Sequence, residues 1–414
     1  MDTIRLFSII LVVFVVPLVA GWPVYRADLG RTAQCEEIVE PSIVLVAQFD
    51  APLTAPIENT EGLFIGCGNA IVKLDLENFV EKWKVKASNR FLAAPCLWNG
   101  VVIAAAMDGY VRGLDSSNGR ELWSYRIGGQ VFASPLAWSG LVFIASSNSR
   151  IVALNASTGE LVWGFKASGK ITSSPALRNG VLYVASWTGE VDAFNASTGE
   201  LLWTVRAGGA VVSTLTAADK VYVPIDGGVI AALDLRSGDE VWSVRIGGDV
   251  LGGLAVGEDF VYAASENKLY ALNSSNGSIL WMAEFREKVS CSPVIAGSYV
   301  IVGTHDKYLF CLDGVKGIQV WNISLGSTPV DSPSMMKSGL LVPTEQGELY
   351  LVSRAAGEEK PSQEKLHELS LYFVIFLIIA VLVLIIAVSV ITLVLFKKRR
   401  SRRPKLPPPP PPPP

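Results

Sequence analysis

Tryptophan recurs along this 414-residue chain at a nearly fixed interval: Trp83, Trp123, Trp163, Trp203, Trp242, Trp281 and Trp321 follow one another with at most a one-position variation in spacing. A constant period in this range marks an array of small supersecondary units, none of which can bury its own apolar face. The unit around Trp163 reads as four short strands, "VFASPLA", "GLVFIAS", "RIVALNA" and "LVWGFKA", separated by Gly, Asn and Ser punctuation. Between residues 40 and 355 no stretch sustains a helical period, so helical and α/β repeats are excluded. Four strands in a unit of this length is the format of a β-propeller blade.

The segment before each tryptophan has its own chemistry. Eight positions back stands Asp or Asn in every copy (Asp75, Asp115, Asn155, Asn195, Asp234, Asn273, Asp313), a residue type that sets a turn by accepting backbone N–H bonds. Four back is Gly in six copies, as a positive φ demands, with Phe79 the exception. Ten back is small in six copies, with Lys73 the exception, which suggests an indole seated closely on its neighbour.

Assembled, these positions give Ala-x-Asp-x-x-Thr-Gly-x-x-x-Trp. This resembles the tryptophan-docking motif of the pyrroloquinoline-quinone (PQQ) repeat propellers, and "WPVYRADLGRT" (Trp22–Thr32) resembles that superfamily's opening segment. The resemblance spans about residues 22–354 and implies an all-β, eight-bladed propeller in which the motif joins neighbouring blades. An eighth unit, beginning "VDSPSMMKSG", has three strands and no tryptophan. The isolated strand Ser42–Asp50 is expected to complete that blade and remove its open edge, with Ile43, one repeat length before Trp83, in the tryptophan position.

Residues 1–21 carry one Arg and a long apolar run ending in small residues, the pattern of a signal peptide or N-terminal anchor. After the propeller comes a polar stalk (355–368), then an uncharged apolar stretch (369–396) long enough for one transmembrane helix. "KKRRSRRPK" follows it, which places the tail 397–414 in the cytoplasm and the propeller outside a cell membrane crossed once. The tail's seven basic residues act against the bilayer's anionic headgroups, and its terminal polyproline run fits a cytoplasmic polyproline-binding partner. The whole chain has net charge −3, so without that tail the rest is −10, which argues against nucleic acid as a partner.

Aligning the repeats isolates the residues before each innermost strand (Asp50, Arg90, Gln130, Lys170, Ala210, Asp249, Lys288, Pro329). It also isolates those in the loops between second and third strands, among them Met107, Trp187, His305 and Glu345. The copies disagree there, which frees these positions to specialise. Asp50, Arg90, Met107, Gln130, Lys170, Trp187, Asp249, Lys288, His305 and Glu345 are therefore the candidate binding face, around a channel mouth expected to be the only concavity. Catalytic constellations are not found. The chain has two His and no nucleophile elbow, and no catalytic or metal residue is assigned.

The PQQ dehydrogenases of the superfamily imply an adjacent Cys–Cys pair, a calcium site and long inserted loops. This sequence has no adjacent cysteines and no room for insertions, so neither PQQ nor calcium is expected. The resemblance falls instead on the non-catalytic branch, which includes the propeller subunit of the outer-membrane assembly machinery. It implies a scaffold holding an extracytoplasmic protein or glycan; the alternatives are a quinoprotein dehydrogenase, or a surface sensor acting through its tail. Cys67 and Cys96 fall in neighbouring blades and are candidates to pair, Cys35 and Cys291 give no reason to choose partners, and Cys311 takes the small position beneath Trp321. Of five Asn-x-Ser/Thr sequons, Asn155, Asn195 and Asn273 coincide with the turn-setting position, leaving Asn276 and Asn322 as candidates for a glycan.

Overall fold

The computed structural model describes residues 34–35, 41–336 and 339–354. The expected leader, stalk, membrane helix and tail lie outside the described residues. Those described contain strands and no helix, arranged as eight sheets in an eight-bladed propeller. Blade 3 is typical. Its strands Leu136–Trp138, Leu141–Ala145, Arg150–Asn155 and Leu161–Lys166 pair antiparallel in sequence order. The middle two strands are almost wholly buried because both faces meet a neighbouring blade, whereas the outer strand alternates between exposed and inward residues.

Each outer strand carries a register shift just before its tryptophan, so that Trp163 stands opposite Ala153 and Leu161 opposite Leu154. The indole then faces the next blade. Its N–H donates across the junction to a backbone carbonyl: Trp83 to Ser116 (3.1 Å), Trp123 to Ala156 (3.1 Å), Trp163 to Ala196 (2.9 Å), Trp203 to Leu235 (3.2 Å), Trp242 to Ser274 (2.9 Å) and Trp281 to Gly314 (2.8 Å). Two close approaches explain the motif's small residues. A Cβ on Gly113 would fall 2.2 Å from the Trp123 ring, and one on Gly159 (φ +72°), in the next blade's turn, 2.6 Å from that ring's other side. The turn is set as the sequence indicates: Asn155 Oδ1 accepts from the N–H groups of Ser157 (2.9 Å) and Thr158 (3.0 Å). Asp75, Asn195, Asp234, Asn273 and Asp313 repeat that pair of bonds. Asn276, read as free for a glycan, also sets a local bond, accepting from Ser278 N–H at 2.9 Å.

Closure of the ring follows the expected topology with a different register. Pro41–Gln48 is the fourth strand of blade 8, pairing antiparallel with Glu348–Arg354. The tryptophan position opposite Leu351 is held by Val44, one residue after the Ile43 that repeat counting selects. Here the register shift lies between Leu45 and Ala47, near the other end of the strand, so counting back by one repeat length slips by one. Ile43 packs instead on the core shared with blade 7. With Val44 54% exposed, aromatic rings reach this junction from elsewhere: Phe79, in blade 1's turn, and Phe49 pack against the core cluster that blades 1 and 8 share. Phe79 takes φ +55°, the left-handed region normally kept for Gly, so its placement is strained.

The inner ring is reversed there too. At three other junctions a blade's N–H donates to a hydroxyl of the following blade: Ala94 to Ser134 (3.1 Å), Ser134 to Ser174 (2.9 Å) and Gly253 to Ser292 (2.9 Å). At closure, Ala55 N–H of blade 1 donates back to the Asp331 carboxylate of blade 8 (2.8 Å). One feature was not anticipated. Gln34–Cys35 adds in parallel to the innermost strand of blade 7, making that sheet five-stranded. Cys67 and Cys96 are separate, buried thiols and not a pair, while Cys311 lies buried opposite Trp321 as expected.

Trp163→Ala or Trp203→Ala is expected to cost roughly 3–5 kcal/mol, because each removes a packed indole together with its carbonyl bond. Trp187→Ala, on a half-exposed ring, is expected to cost no more than about 1 kcal/mol; equal losses in urea titrations would contradict the distinction. Deleting residues 41–50 uncovers the edge of Glu348–Arg354 and should give aggregation, read by light scattering, in place of a soluble cooperative fold.

Candidate functional site

Backbone hydrogen bonds bring the two sets of loop residues onto one face. In each of several blades the loop between the second and third strands donates to the carbonyl just before the innermost strand: Met107 to Arg90 (2.9 Å), Ser147 to Gln130 (2.9 Å), Trp187 to Lys170 (2.9 Å), Asp226 to Ala210 (2.8 Å), His305 to Lys288 (2.8 Å) and Glu345 to Thr328 (2.9 Å). Arg90, Met107, Gln130, Lys170, Trp187, Lys288, His305 and Glu345 therefore share the lip of the channel. In blade 8 the equivalent of Lys288 is Thr328, one residue before the Pro329 chosen by alignment. In blade 1 it is Pro52, whose carbonyl accepts from Gly68 (3.1 Å), so Asp50 stands two residues outside the ring of equivalents. Asp249 holds its position and accepts from Gly227 N–H at 2.7 Å.

Blade 4 presents the most ordered group on this face. The Lys170 ammonium lies 4.3 Å from the Trp187 ring centre and 5.4 Å from that of Phe132, in blade 3. Trp187 is fixed from its far end, where the indole N–H donates to Thr172 Oγ1 at 2.6 Å, and the residue stays 45% exposed. A cation over an indole face is an electrostatic attraction worth about 0.5–2 kcal/mol, so the three side chains hold one another at the channel mouth.

Phe132, half-buried, was not singled out by sequence, and neither were the exposed Leu92 and Val212; each stands four residues before its blade's innermost strand. They read as ordinary strand residues. The available signal was their place in the repeat, where Leu92, Phe132, Thr172 and Val212 hold equivalent positions with different side chains.

Charge is divided around the lip. Blades 2 to 4 offer Arg90 and Lys170, while blades 5 and 6 offer exposed Asp226, Asp249 and Glu266. Asp108, beside Met107, adds no free charge, because its carboxylate takes both Arg112 guanidinium nitrogens at 3.2 and 2.7 Å. Burial pushes that carboxyl up, but the bonds from Arg112, Tyr110 N–H and Ser88 outweigh it and hold Asp108 below the usual carboxylate range. Among the described residues no three His, Cys, Asp or Glu side chains cluster closely enough to hold a metal ion. The lip is thus a broad surface of cation, aromatic and aliphatic groups with an acidic flank.

A cavity of about 510 Å³ also lies at the junction of blades 8 and 1, and includes Asp50 and blade 1's turn at Cys67, Gly68 and Asn69 in its lining. The channel mouth is therefore not the molecule's one concavity, contrary to expectation. A second cavity, of about 480 Å³, is lined by Asn148, Arg150, Leu161, Gly164, Phe165 and Lys166 of blade 3, so concavities along the outer strands are not confined to the closing junction.

Comparison with known proteins comes out consistently. A family model described as outer membrane protein assembly factor BamB matches residues 45–163, 126–242 and 225–365. Among solved structures, BamB from Moraxella catarrhalis is similar with TM-score 0.65 and 18% identity, over 76% of this chain and 99% of that one. The quinohemoprotein alcohol dehydrogenase from Comamonas testosteroni gives 0.71 and 13%, over 83% and 82%. A europium-containing methanol dehydrogenase gives 0.68 and 13%, over 76% and 87%. At these identities the likeness shows the fold alone. No curated protein sequence matches the chain.

Asp108 has its pKa depressed by folding, so its contribution is fully present above the unfolded value near 3.9 and is lost as pH falls through the folded one. Asp108→Asn should therefore cost about 1–3 kcal/mol at pH 7. Urea titrations at falling pH should show that difference shrinking in acid; a constant difference would mean the ion pair is not its source.

Proposed function

From the premise that the chain belongs to the PQQ-repeat family described as outer membrane protein assembly factor BamB, we propose that it is a non-enzymatic binding propeller, anchored in a membrane and facing outward. Its loop face holds a protein partner. The observation that carries this reading is the Lys170–Trp187–Phe132 group, in which half-buried Lys170 and Phe132 support an exposed indole, with exposed apolar Leu92 and Val212 at the repeat-equivalent positions of blades 2 and 5. Exposed indole and basic groups around an apolar centre are what protein interfaces concentrate at their energetic hot spots. Anchoring is supported by the uncharged stretch 369–396 and the basic run that follows it. The polyproline end suits a cytoplasmic partner carrying an aromatic-lined groove.

The dehydrogenase reading has the structural likenesses in its favour, and the residues present do not fit its cofactor. A quinone cofactor with calcium needs clustered oxygen ligands and flat groups above and below it. The chain has no adjacent cysteines, and its four described thiols lie buried and apart. The lip's carboxylates are dispersed around the rim, with no metal-sized cluster among the described residues.

Two measurements test the proposal together. Capture of partners by the full-length chain, identified by mass spectrometry, should be lost when Arg90, Lys170 and Lys288 are changed to Glu and kept when Lys166 is. Reconstitution with PQQ and Ca²⁺ should leave absorbance and dye reduction at background. A stoichiometric quinone spectrum with alcohol-dependent dye reduction would overturn the reading.

A further inference from the structure

The closing junction differs from the others in the chemistry of its blade 1 wall as well as in its missing indole. At the position after the tryptophan, six blades carry uncharged residues: Ser124, Gly164, Thr204, Ser243, Met282 and Asn322. Blade 1 carries Lys84. Two positions further on, a cation is ordinary, since Lys86 has counterparts in Arg126, Lys166, Arg206 and Arg245. The strained Phe79 also belongs to this wall. A bulky residue held in the left-handed region costs of order 1–3 kcal/mol and persists where the surroundings require it.

Phe79, Lys84 and Lys86 all line the cavity of about 510 Å³ between blade 1 and the Pro41–Gln48 strand. Phe49 and Leu74 supply further apolar wall, and Asp50 and Glu81 the acidic groups. The shape is informative. Both ends of the strand Glu81–Lys86 line the same space, and at about 3.3 Å per residue that strand runs roughly 17 Å. The cavity is therefore a groove matched in length to about five residues of extended chain.

Its basic side is uncommitted. Lys82 is held by Asp75 at 3.0 Å, whereas Lys84 and Lys86 have no ion-pair partner among the described residues. Glu81 belongs to the ordinary repeat, as Glu121 and Glu240 do, so the departure special to this groove is the cation at Lys84.

We propose that this groove binds an extended peptide segment of a protein partner, with an acidic side chain pairing to Lys84 and Lys86 and apolar neighbours packing on Phe49 and Phe79. The site lies at the junction of blades 8 and 1, three blades from Lys170 and Trp187; one end of it reaches blade 1's turn at Cys67, Gly68 and Asn69, and Lys84, Lys86 and Phe79 line the rest. Strand-period spacing suits such a ligand, because alternate side chains of an extended peptide point to opposite walls.

The test uses the purified full-length chain and a fluorescein-labelled hexapeptide of alternating glutamate and phenylalanine, followed by anisotropy. A peptide of alternating lysine and phenylalanine is the counter-probe. Saturable binding of the acidic probe is expected, weakened about tenfold or more by Lys84→Glu, as loss of a charge-assisted contact gives. Lys166→Glu and the triple loop-face variant should bind it as the unaltered chain does, which separates this site from the face proposed above. Carbodiimide, which joins carboxylate to amine without a spacer, should link the probe to Lys84 or Lys86. Unchanged affinity in a normally melting Lys84→Glu variant, equal affinity for the lysine probe, cross-links at other lysines, or no saturable binding would each overturn the proposal.

Discussion

The bond from an indole N–H to a carbonyl in the next blade is the interaction on which the ring depends. A small four-stranded sheet has two apolar faces and no way to cover either alone, so stability has to come from its neighbours. The tryptophan meets this in one side chain. Its ring covers apolar area across the junction, and its one polar atom is satisfied by a carbonyl that would otherwise be a buried cost. The remaining motif follows from making room for that ring. Gly113 and Gly159 flank Trp123 so closely that a Cβ at either would overlap it, and Asn155 holds the turn that presents Gly159. In blades 4 to 6 a tyrosine shares the duty, since the hydroxyls of Tyr183 and Tyr262 donate to the same carbonyls as Trp203 and Trp281.

A ring built on a directional rule must break it where the chain's two ends meet. Blade 8 takes its outer strand from before blade 1, so that strand is aligned by its ladder with Glu348–Arg354 and not by the sequence repeat. It brings no tryptophan. Both layers of the junction compensate by running backwards: Phe79 of blade 1 packs toward blade 8, and the Asp331 carboxylate of blade 8 takes the Ala55 N–H. A groove remains along the seam.

What was legible in the sequence was whatever depends on neighbours in the chain. Period, turn-setting Asp or Asn, positive-φ Gly and docking Trp all lie close to one another along the chain, and each was found where its spacing placed it. Ring closure was legible as topology, since an unpaired strand at one end and a missing one at the other have one joint solution. Its register was not. Whether Ile43 or Val44 faces blade 1 depends on where the strand's irregularity falls, which pairing decides. Thr328 was displaced by Pro329 for a similar reason, a one-residue offset invisible to an alignment without the backbone bonds. At the lip, Trp187 stood out because no other blade carries an indole there. Phe132 did not, since an aromatic in an apolar run looks like core until its contact with Lys170 is known.

The same packing that makes the fold also limits where this chain can carry function. Every position bound into a junction is constrained by a ring on one side and a turn on the other, which leaves the lip and the seam free to vary. Lip residues reach the surface from separate blades on short loops, each pinned by a backbone bond such as Trp187 N–H to the Lys170 carbonyl. Such an arrangement is rigid and spread out. It sets cations, aromatics and carboxylates at intervals around a mouth, an arrangement that suits the partner-binding role proposed above. The seam groove extends that logic to the closing junction, where a departure from the repeat, Lys84 beside Phe79, stands in place of the uncharged Ser124, Gly164, Thr204, Ser243, Met282 and Asn322 of the other tryptophan-bearing blades.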